Sequence, residues 1–156
     1  MYIRKRLGKY YVEIKRHGHK NIYKTFKQKS DAMKWGRSVE IQLDQSRYKD
    51  TSNASKTTLK SVMERHLKER LRVVREPKKE QSRYNVIIKN DIVKRYLTNL
   101  TPLIFSRYRD ERLDEGLSPS TVCRELSFMS ISIKKAIRFY SCWLPEHPIP
   151  NDIKPK

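Results

Sequence analysis

The chain has 156 residues, room for one ordinary domain or two small ones and too little for a large multidomain enzyme. Its 36 Lys and Arg outnumber 17 Asp and Glu, and the resulting net charge of +19 makes nucleic acid the leading partner class, because so cationic a surface repels itself unless a polyanion is bound. No apolar run approaches the roughly 20 residues that span a bilayer, and the basic start Tyr2-Ile3-Arg4-Lys5-Arg6 is not followed by the apolar stretch of a secretory leader, so neither a membrane partner nor export is expected and the location is read as cytoplasmic.

The charge is uneven: residues 1–29 carry +9, residues 30–55 are neutral, residues 56–117 carry +7 and residues 118–156 carry +3. The first segment alternates with period two, Tyr10, Val12 and Ile14 falling on one side and Tyr11, Glu13 and Lys15 on the other, and Ile22, Lys24 and Phe26 repeat the rhythm. Three strands are predicted, with turns at Gly8-Lys9 and His17-Gly18-His19, where glycine tolerates positive φ. Ser30 is the expected N-cap of a helix over about residues 31–45, whose stripe of Ala32, Trp35, Val39 and Leu43 would cover the apolar side of the sheet. A sheet with a helix on one face leaves the other face open, and residues 1–46 are read as a β-β-β-α domain.

Residues 47–56 are polar and aperiodic and are read as a linker. From Thr57 the period becomes 3.6. Leu59, Val62, Met63, Leu67, Leu71 and Val74 predict a first helix stopped at Glu76-Pro77, and Tyr84, Ile87, Ile88, Ile92 and Tyr96 predict a second. Thr101-Pro102 opens a third, carrying Ile104, Tyr108 and Leu113 and ending at Gly116. Ser118-Pro119 opens a fourth with Val122, Leu126, Met129, Ile133, Ile137 and Tyr140 along one face. The fold class is therefore α+β: a small three-stranded antiparallel sheet with one helix, then an all-α four-helix domain over residues 57–145. The prolines of residues 146–156 make the remainder an extended exit segment.

No metal or other cofactor is expected. Cys123 and Cys142 lack metal-pair spacing, and their 19-residue separation on a single helix would amount to about 28 Å of rise, beyond a disulfide. Asp110, Glu111, Asp114 and Glu115 cluster on the third helix, but Arg109 and Arg112 interleave with them and ion pairing is the simpler account. His66 has no second ligand one turn away and is read as a partly buried structural residue.

Two stretches resemble the N-terminal part of phage-type tyrosine integrases. Tyr10-Tyr11-Val12-Glu13-Ile14, Lys24-Thr25-Phe26-Lys27 and Ser30-Asp31-Ala32-Met33-Lys34-Trp35 are similar to that family's arm-type DNA-binding domain, with Tyr10 standing where Trp is frequent. Leu100-Thr101-Pro102, Tyr108-Arg109-Asp110-Glu111-Arg112-Leu113 and Gly116-Leu117-Ser118-Pro119-Ser120-Thr121-Val122-Cys123-Arg124-Glu125-Leu126 resemble the last two helices of its SAM-like core-binding domain, and Trp143-Leu144-Pro145-Glu146-His147-Pro148 resembles the usual exit. The resemblance implies binding of double-stranded DNA at arm-type and core-type attachment sites during integration and recombination, with other integrase protomers alongside on the DNA and no small-molecule substrate. The family's nucleophilic tyrosine, its arginines and lysine and its His-x-x-Arg element belong to a C-terminal catalytic domain that would begin near the end of this sequence. Three residues after the four histidines stand Lys20, Ile22, Glu69 and Pro150, never Arg, so no catalytic residue is carried over and this chain is not expected to break or join DNA by itself.

The candidate DNA contacts follow from alternation and helix ends. On the open face of the sheet they are Tyr11, Glu13, Lys15 and Tyr23, with Arg4, Arg6, Arg16, His19 and Lys20 at the rim; Lys24 is included although it shares parity with Phe26. At the start of the fourth helix, Ser118, Ser120 and Thr121 offer hydroxyls and free N–H groups to a phosphate, and Arg124 lies one turn on. Lys79, Ser82 and Arg83, with Lys78, open the second helix in a similar way. The alternatives are an RNA-binding or ribosome-associated basic protein, for which the charge is equally natural, and a stand-alone DNA-binding regulator.

Overall fold

Leu7 and Gly8 both take positive φ, 47° and 72°, and so close a two-residue hairpin whose twist matches that of the strands it joins. In the computed structural model, which describes residues 1–17 and 19–155, this hairpin joins β1 (Tyr2–Arg6) to β2 (Lys9–Ile14). The turn thus sits one residue earlier than Gly8-Lys9, because Arg6 and Lys9 already pair as the last rung of the ladder. β3 (Ile22–Phe26) lies antiparallel on the other side of β2, giving the order β1-β2-β3. Gly18, expected in the second turn, lies outside the described residues.

Helix α1 spans Lys29–Asp44, and its N-cap is Gln28, extended at φ −115° and ψ 144°. Ser30 is therefore already inside the first turn, two positions past the extended residue from which a side chain can cap, and no side-chain cap forms. Ala32, Val39 and Leu43 of α1 and Val12 and Ile14 of β2 are buried together, with Ile3, Tyr10, Ile22, Phe26, Trp35 and Tyr48 packed around them. Period two in the strands and 3.6 in the helix thus converge on one small core.

The chain divides into two compact units, Met1–Lys49 and the residues from Asp50 onward. The segment expected as linker is shared between them. Arg47 and Tyr48 donate their backbone N–H groups to Gln42 O at 2.8 and 3.1 Å, within the first unit. In the second, Ala54 is fully buried, Asn53 Nδ2 donates to Ser141 O at 3.3 Å and Thr57 Oγ1 donates to Asn53 O at 2.7 Å. A polar, aperiodic sequence here builds hydrogen-bonded turns, which periodicity does not register.

The second unit is helical: α2 (Leu59–Arg70), α3 (Pro77–Ile87), α4 (Pro102–Asp114) and α5 (Pro119–Phe139). Two helices are shorter than their apolar stripes. α2 stops at Arg70, after which the N–H groups of Arg72 and Val73 bond three residues back and Val73 turns outward, 81% exposed. α3 stops at Ile87 because the Asn90 side chain accepts from Ile92 N at 2.9 Å and starts a separate 3-10 turn, Asp91–Lys94. A second such turn, Leu97–Asn99, follows, so Ile92 and Tyr96 are not on α3. Gly116, at φ +85°, ends α4 as expected, and the Ser118 hydroxyl caps α5 by accepting from Thr121 N at 3.3 Å. Leu59, Met63, Ile87, Leu97, Phe105, Tyr108, Val122, Leu126, Met129 and Ile133 form the centre of the core.

Cys142 lies past the end of α5 rather than on it, and both cysteines are free thiols. The proline-rich end is fastened to the helices: Ile149 and Ile153 are buried, Asn151–Ile153 is a 3-10 turn, and Arg109 Nη1 donates to Ile153 O at 3.1 Å. Its apolar residues hold this segment down, and it includes one short 3-10 turn.

His66 of α2 is only 3% exposed, its ring lies 5.1 Å from that of Phe128, and neither ring nitrogen has a hydrogen-bond partner. Burial holds its pKa below the ordinary 6.5, with Lys135 and Arg70 pushing the same way and Glu69 and Glu80 opposing. The unfolded chain therefore takes up a proton on this residue at a pH where the folded chain does not, so stability falls as pH drops through about 6.5 and keeps falling toward the lowered folded value. His66→Leu removes two unpaired polar atoms and should gain about 1 kcal/mol at neutral pH while flattening that decline. Urea melts at pH 5 to 8 measure both, and an unchanged slope in the variant would assign the decline to another group.

Candidate nucleic-acid interface

The sheet register turns the outer face of the first unit into a grid. Glu13 of β2 faces Tyr2 on β1 and Tyr23 on β3; Tyr11 faces Arg4 and Thr25; Lys9 faces Arg6. Alternation sends all of these away from the side on which Val12 and Ile14 meet α1. Neighbouring columns stand about 4.8 Å apart and successive rows about 6.8 Å. Between them lies a shallow recess of about 120 Å³ lined by Tyr2, Arg4, Tyr11, Glu13, Tyr23 and Thr25.

Several of these side chains are oriented by their neighbours. Lys15 Nζ lies 3.2 Å from Glu13 Oε1, and that ammonium, helped by Tyr23 and Arg4, holds the Glu13 carboxyl below the ordinary carboxylate range. Glu13 is thus an anion in an otherwise cationic field. Asn21 Nδ2 donates to Tyr23 Oη at 3.1 Å, and Tyr23 is 64% exposed. Arg4, Arg6, His19 and Lys20 are exposed at the rim.

Two residues expected on this surface are placed otherwise. Lys24 lies opposite Val12, on the helix side of the sheet, with Nζ 5.6 Å from the centre of the Phe26 ring and 5.4 Å from that of Trp35. Its parity with Phe26 is the physical reason. Arg16 remains exposed but pairs with Asp44 at the end of α1.

In the second unit Ser118, Ser120 and Arg124 are exposed and Thr121 is half-buried at the start of α5. The Ser118 hydroxyl sits 3.2 Å from Ser120 Oγ and 2.9 Å from Thr121 Oγ1, so the three hydroxyls form one small network around the helix end. A phosphate there would meet the positive end of a 21-residue helix. At the start of α3, Ser82 and Lys78 are exposed, whereas Lys79 pairs with Glu76 at 2.8 Å and Arg83 with Glu80 at 2.9 Å. Glu80 is itself buried and also receives Arg70, whose hydrogen bond is the main cause of its lowered pKa. Arg83 is thereby committed to the packing of α2 against α3.

Sequence reasoning missed a longer feature. Arg124, Ser127, Ile131, Lys134 and Arg138 recur at three and four residues along α5, opposite the stripe that enters the core, and Arg124, Ile131, Lys134 and Arg138 are exposed. The same period that located the buried stripe, counted from Arg124, would have found this one. It also missed the role of Glu125, 2% exposed, which accepts from Tyr108 Oη at 2.8 Å and from Arg112 Nε and Nη2 at 3.1 and 2.9 Å. The ion pairing expected among the acids of α4 is present, Arg109 with Asp110 and Arg112 with Glu115. No helix among the described residues is long and apolar enough to cross a membrane.

A protein of Haemophilus influenzae named "Putative integrase/recombinase" is 29% identical to this chain over 131 residues, which are 84% of this chain and 34% of that protein. The chain thus spans about a third of that relative's length. No family model and no solved structure matches it. Because 131 residues are more than either unit contains, the similarity crosses both, and it supports an integrase/recombinase family for the chain.

Proposed function

We propose that this chain is the DNA-gripping part of a site-specific integrase, with residues 1–46 engaging arm-type sites and residues 57–145 a core-type site on double-stranded DNA. The observation that carries the reading is the outer face of the sheet: a three-stranded surface of Tyr2, Arg4, Arg6, Lys9, Tyr11 and Tyr23, within a segment of charge +9. A sheet of this width fits the major groove, where its central side chains reach base edges while cations at the rim reach phosphates. The helical unit adds Arg124, Lys134 and Arg138 along α5 and the hydroxyls at its start. Two DNA-binding units on one chain raise each other's effective concentration, so paired sites are held more tightly than either alone. Strand cleavage and joining are assigned to catalytic residues outside those described.

Gel-shift competition between duplex DNA carrying an attachment site of the host element and a structured RNA of equal length tests the reading. Duplex should win by tenfold or more. Preference for the RNA would replace the proposal with the RNA-binding alternative. Repression without any attachment-site preference would favour a stand-alone regulator.

A further inference from the structure

Residues 1–29 contain ten Lys and Arg and a single acid, and that acid occupies the centre of the outer face. A carboxylate opposes any polyanion in general, so its placement there calls for a specific partner that a cation cannot serve. The register sets Glu13 on the middle strand between Tyr2 and Tyr23, with Arg4 and Tyr11 in the next row. Its side chain is 28% exposed and lines the same shallow recess as Tyr2 and Tyr23. Lys15 contacts Oε1 at 3.2 Å and the Tyr23 hydroxyl also hydrogen-bonds the carboxylate, which leaves lone pairs of a four-site acceptor for a further donor.

We infer that Glu13 is a base-reading residue that accepts a hydrogen bond from the exocyclic amino group of a cytosine in the major groove. The inference rests on the proposed duplex-DNA function and adds a specificity determinant to it. Only cytosine and adenine present an amino donor in that groove, and adenine sets its N7 acceptor beside the donor, where it repels a carboxylate. Cytosine offers the donor without an adjoining acceptor on the same base. Lys15 has then a double use: it keeps the carboxylate ionised, and its ammonium neutralises the charge that Glu13 would bring toward the neighbouring phosphates. The low Glu13 pKa agrees with an acceptor that stays charged throughout the physiological range. Tyr2 and Tyr23 flank the carboxylate and limit the directions from which a base edge can approach.

The test is selection of bound duplexes from a randomised pool by the full chain and by Glu13→Gln and Glu13→Ala, followed by titration of the selected sites at fixed salt. The wild type should prefer C·G at one position by about tenfold. Glu13→Gln should move that position toward A·T, because an amide pairs with both N6 and N7 of adenine, and Glu13→Ala should lose the preference there while other positions keep theirs. Both variants should bind random duplex somewhat more tightly, since a negative charge has been removed. Circular dichroism melts confirm that each remains folded. If all three proteins select the same site, or the variants gain affinity equally for every sequence, Glu13 is only a charge-balancing partner of Lys15 and the inference fails while duplex binding stands. If the wild type binds no duplex at all, the proposed function falls and this assignment with it.

Discussion

Raising salt from 50 to 200 mM should weaken binding of the chain to an attachment-site duplex by roughly 10³ to 10⁵, the loss that accompanies about six to ten phosphate contacts. Each contact releases condensed counterions, so the slope of log affinity against log salt counts the cations that reach phosphate. Arg4, Arg6, Lys9, Lys20, Arg124, Lys134 and Arg138 are exposed, and no ion pair is found for them among the described residues. Arg16, Lys79 and Arg83 face Asp44, Glu76 and Glu80. Arg4→Ala and Arg124→Ala should therefore each lower the slope by about one, and Lys79→Ala should leave it nearly unchanged, since a cation already neutralised displaces few counterions. Fluorescence anisotropy of a labelled duplex at five salt concentrations reads the slope directly. A salt-independent affinity, or equal slopes for Arg4→Ala and Lys79→Ala, would remove the phosphate-contact model and with it the assignment of the exposed cations.

What could be read before the structure depended on whether one period governed a segment. Tyr10, Val12 and Ile14 alternate because one side of β2 is dry and the other wet, so the sheet and its open face were legible, as was the single helix that covers it. The stripes of α2 and α3 were legible in content and not in length. Leu71 and Val74 continue the apolar period beyond α2, and Ile92 and Tyr96 beyond α3, because three-residue bonds after Arg70 and a local side-chain bond at Asn90 end the helices first. Ala54, Ile149 and Ile153 went unrecognised as core because their segments have no period at all. The site divides in the same way. Alternation placed Tyr11, Glu13 and Tyr23 on one surface, and it also warned that Lys24 shares the side of Phe26. The partner of Arg16 comes from the end of α1, a long-range contact that spacing along the chain does not reveal, whereas Glu80 stands three residues before Arg83 and was within reach of helix spacing.

Arg112→Ala should cost the second unit about 3 to 5 kcal/mol. The guanidinium holds Glu125 through two donors, Nε to Oε2 at 3.1 Å and Nη2 to Oε1 at 2.9 Å, and the Tyr108 hydroxyl donates to Oε2 at 2.8 Å. The Glu125 side chain is 3% exposed and that of Arg112 is 13% exposed, so the pair is nearly closed to water. Burial together with the Glu125 carboxylate pushes the Tyr108 phenol well above its ordinary 10, so it remains a donor, and the hydrogen bond to Glu125 raises the Arg112 pKa further. Removing the guanidinium leaves an uncompensated carboxylate between α4 and α5, and the penalty is that stranded charge rather than the strength of the pair. Arg112→Lys should lie in between, because an ammonium keeps the charge but cannot supply the two-pronged geometry. The triple change Arg112→Met, Glu125→Leu, Tyr108→Phe removes every member of the network at once and should recover stability to within about 1 kcal/mol of the wild type, since no polar group is then left unpaired. Urea unfolding followed by circular dichroism distinguishes these cases. If Arg112→Ala costs less than about 1 kcal/mol, water reaches Glu125 in solution and the network does not act as a closed unit; if the triple variant is as unstable as Arg112→Ala, the loss comes from side-chain packing between α4 and α5 and not from buried charge.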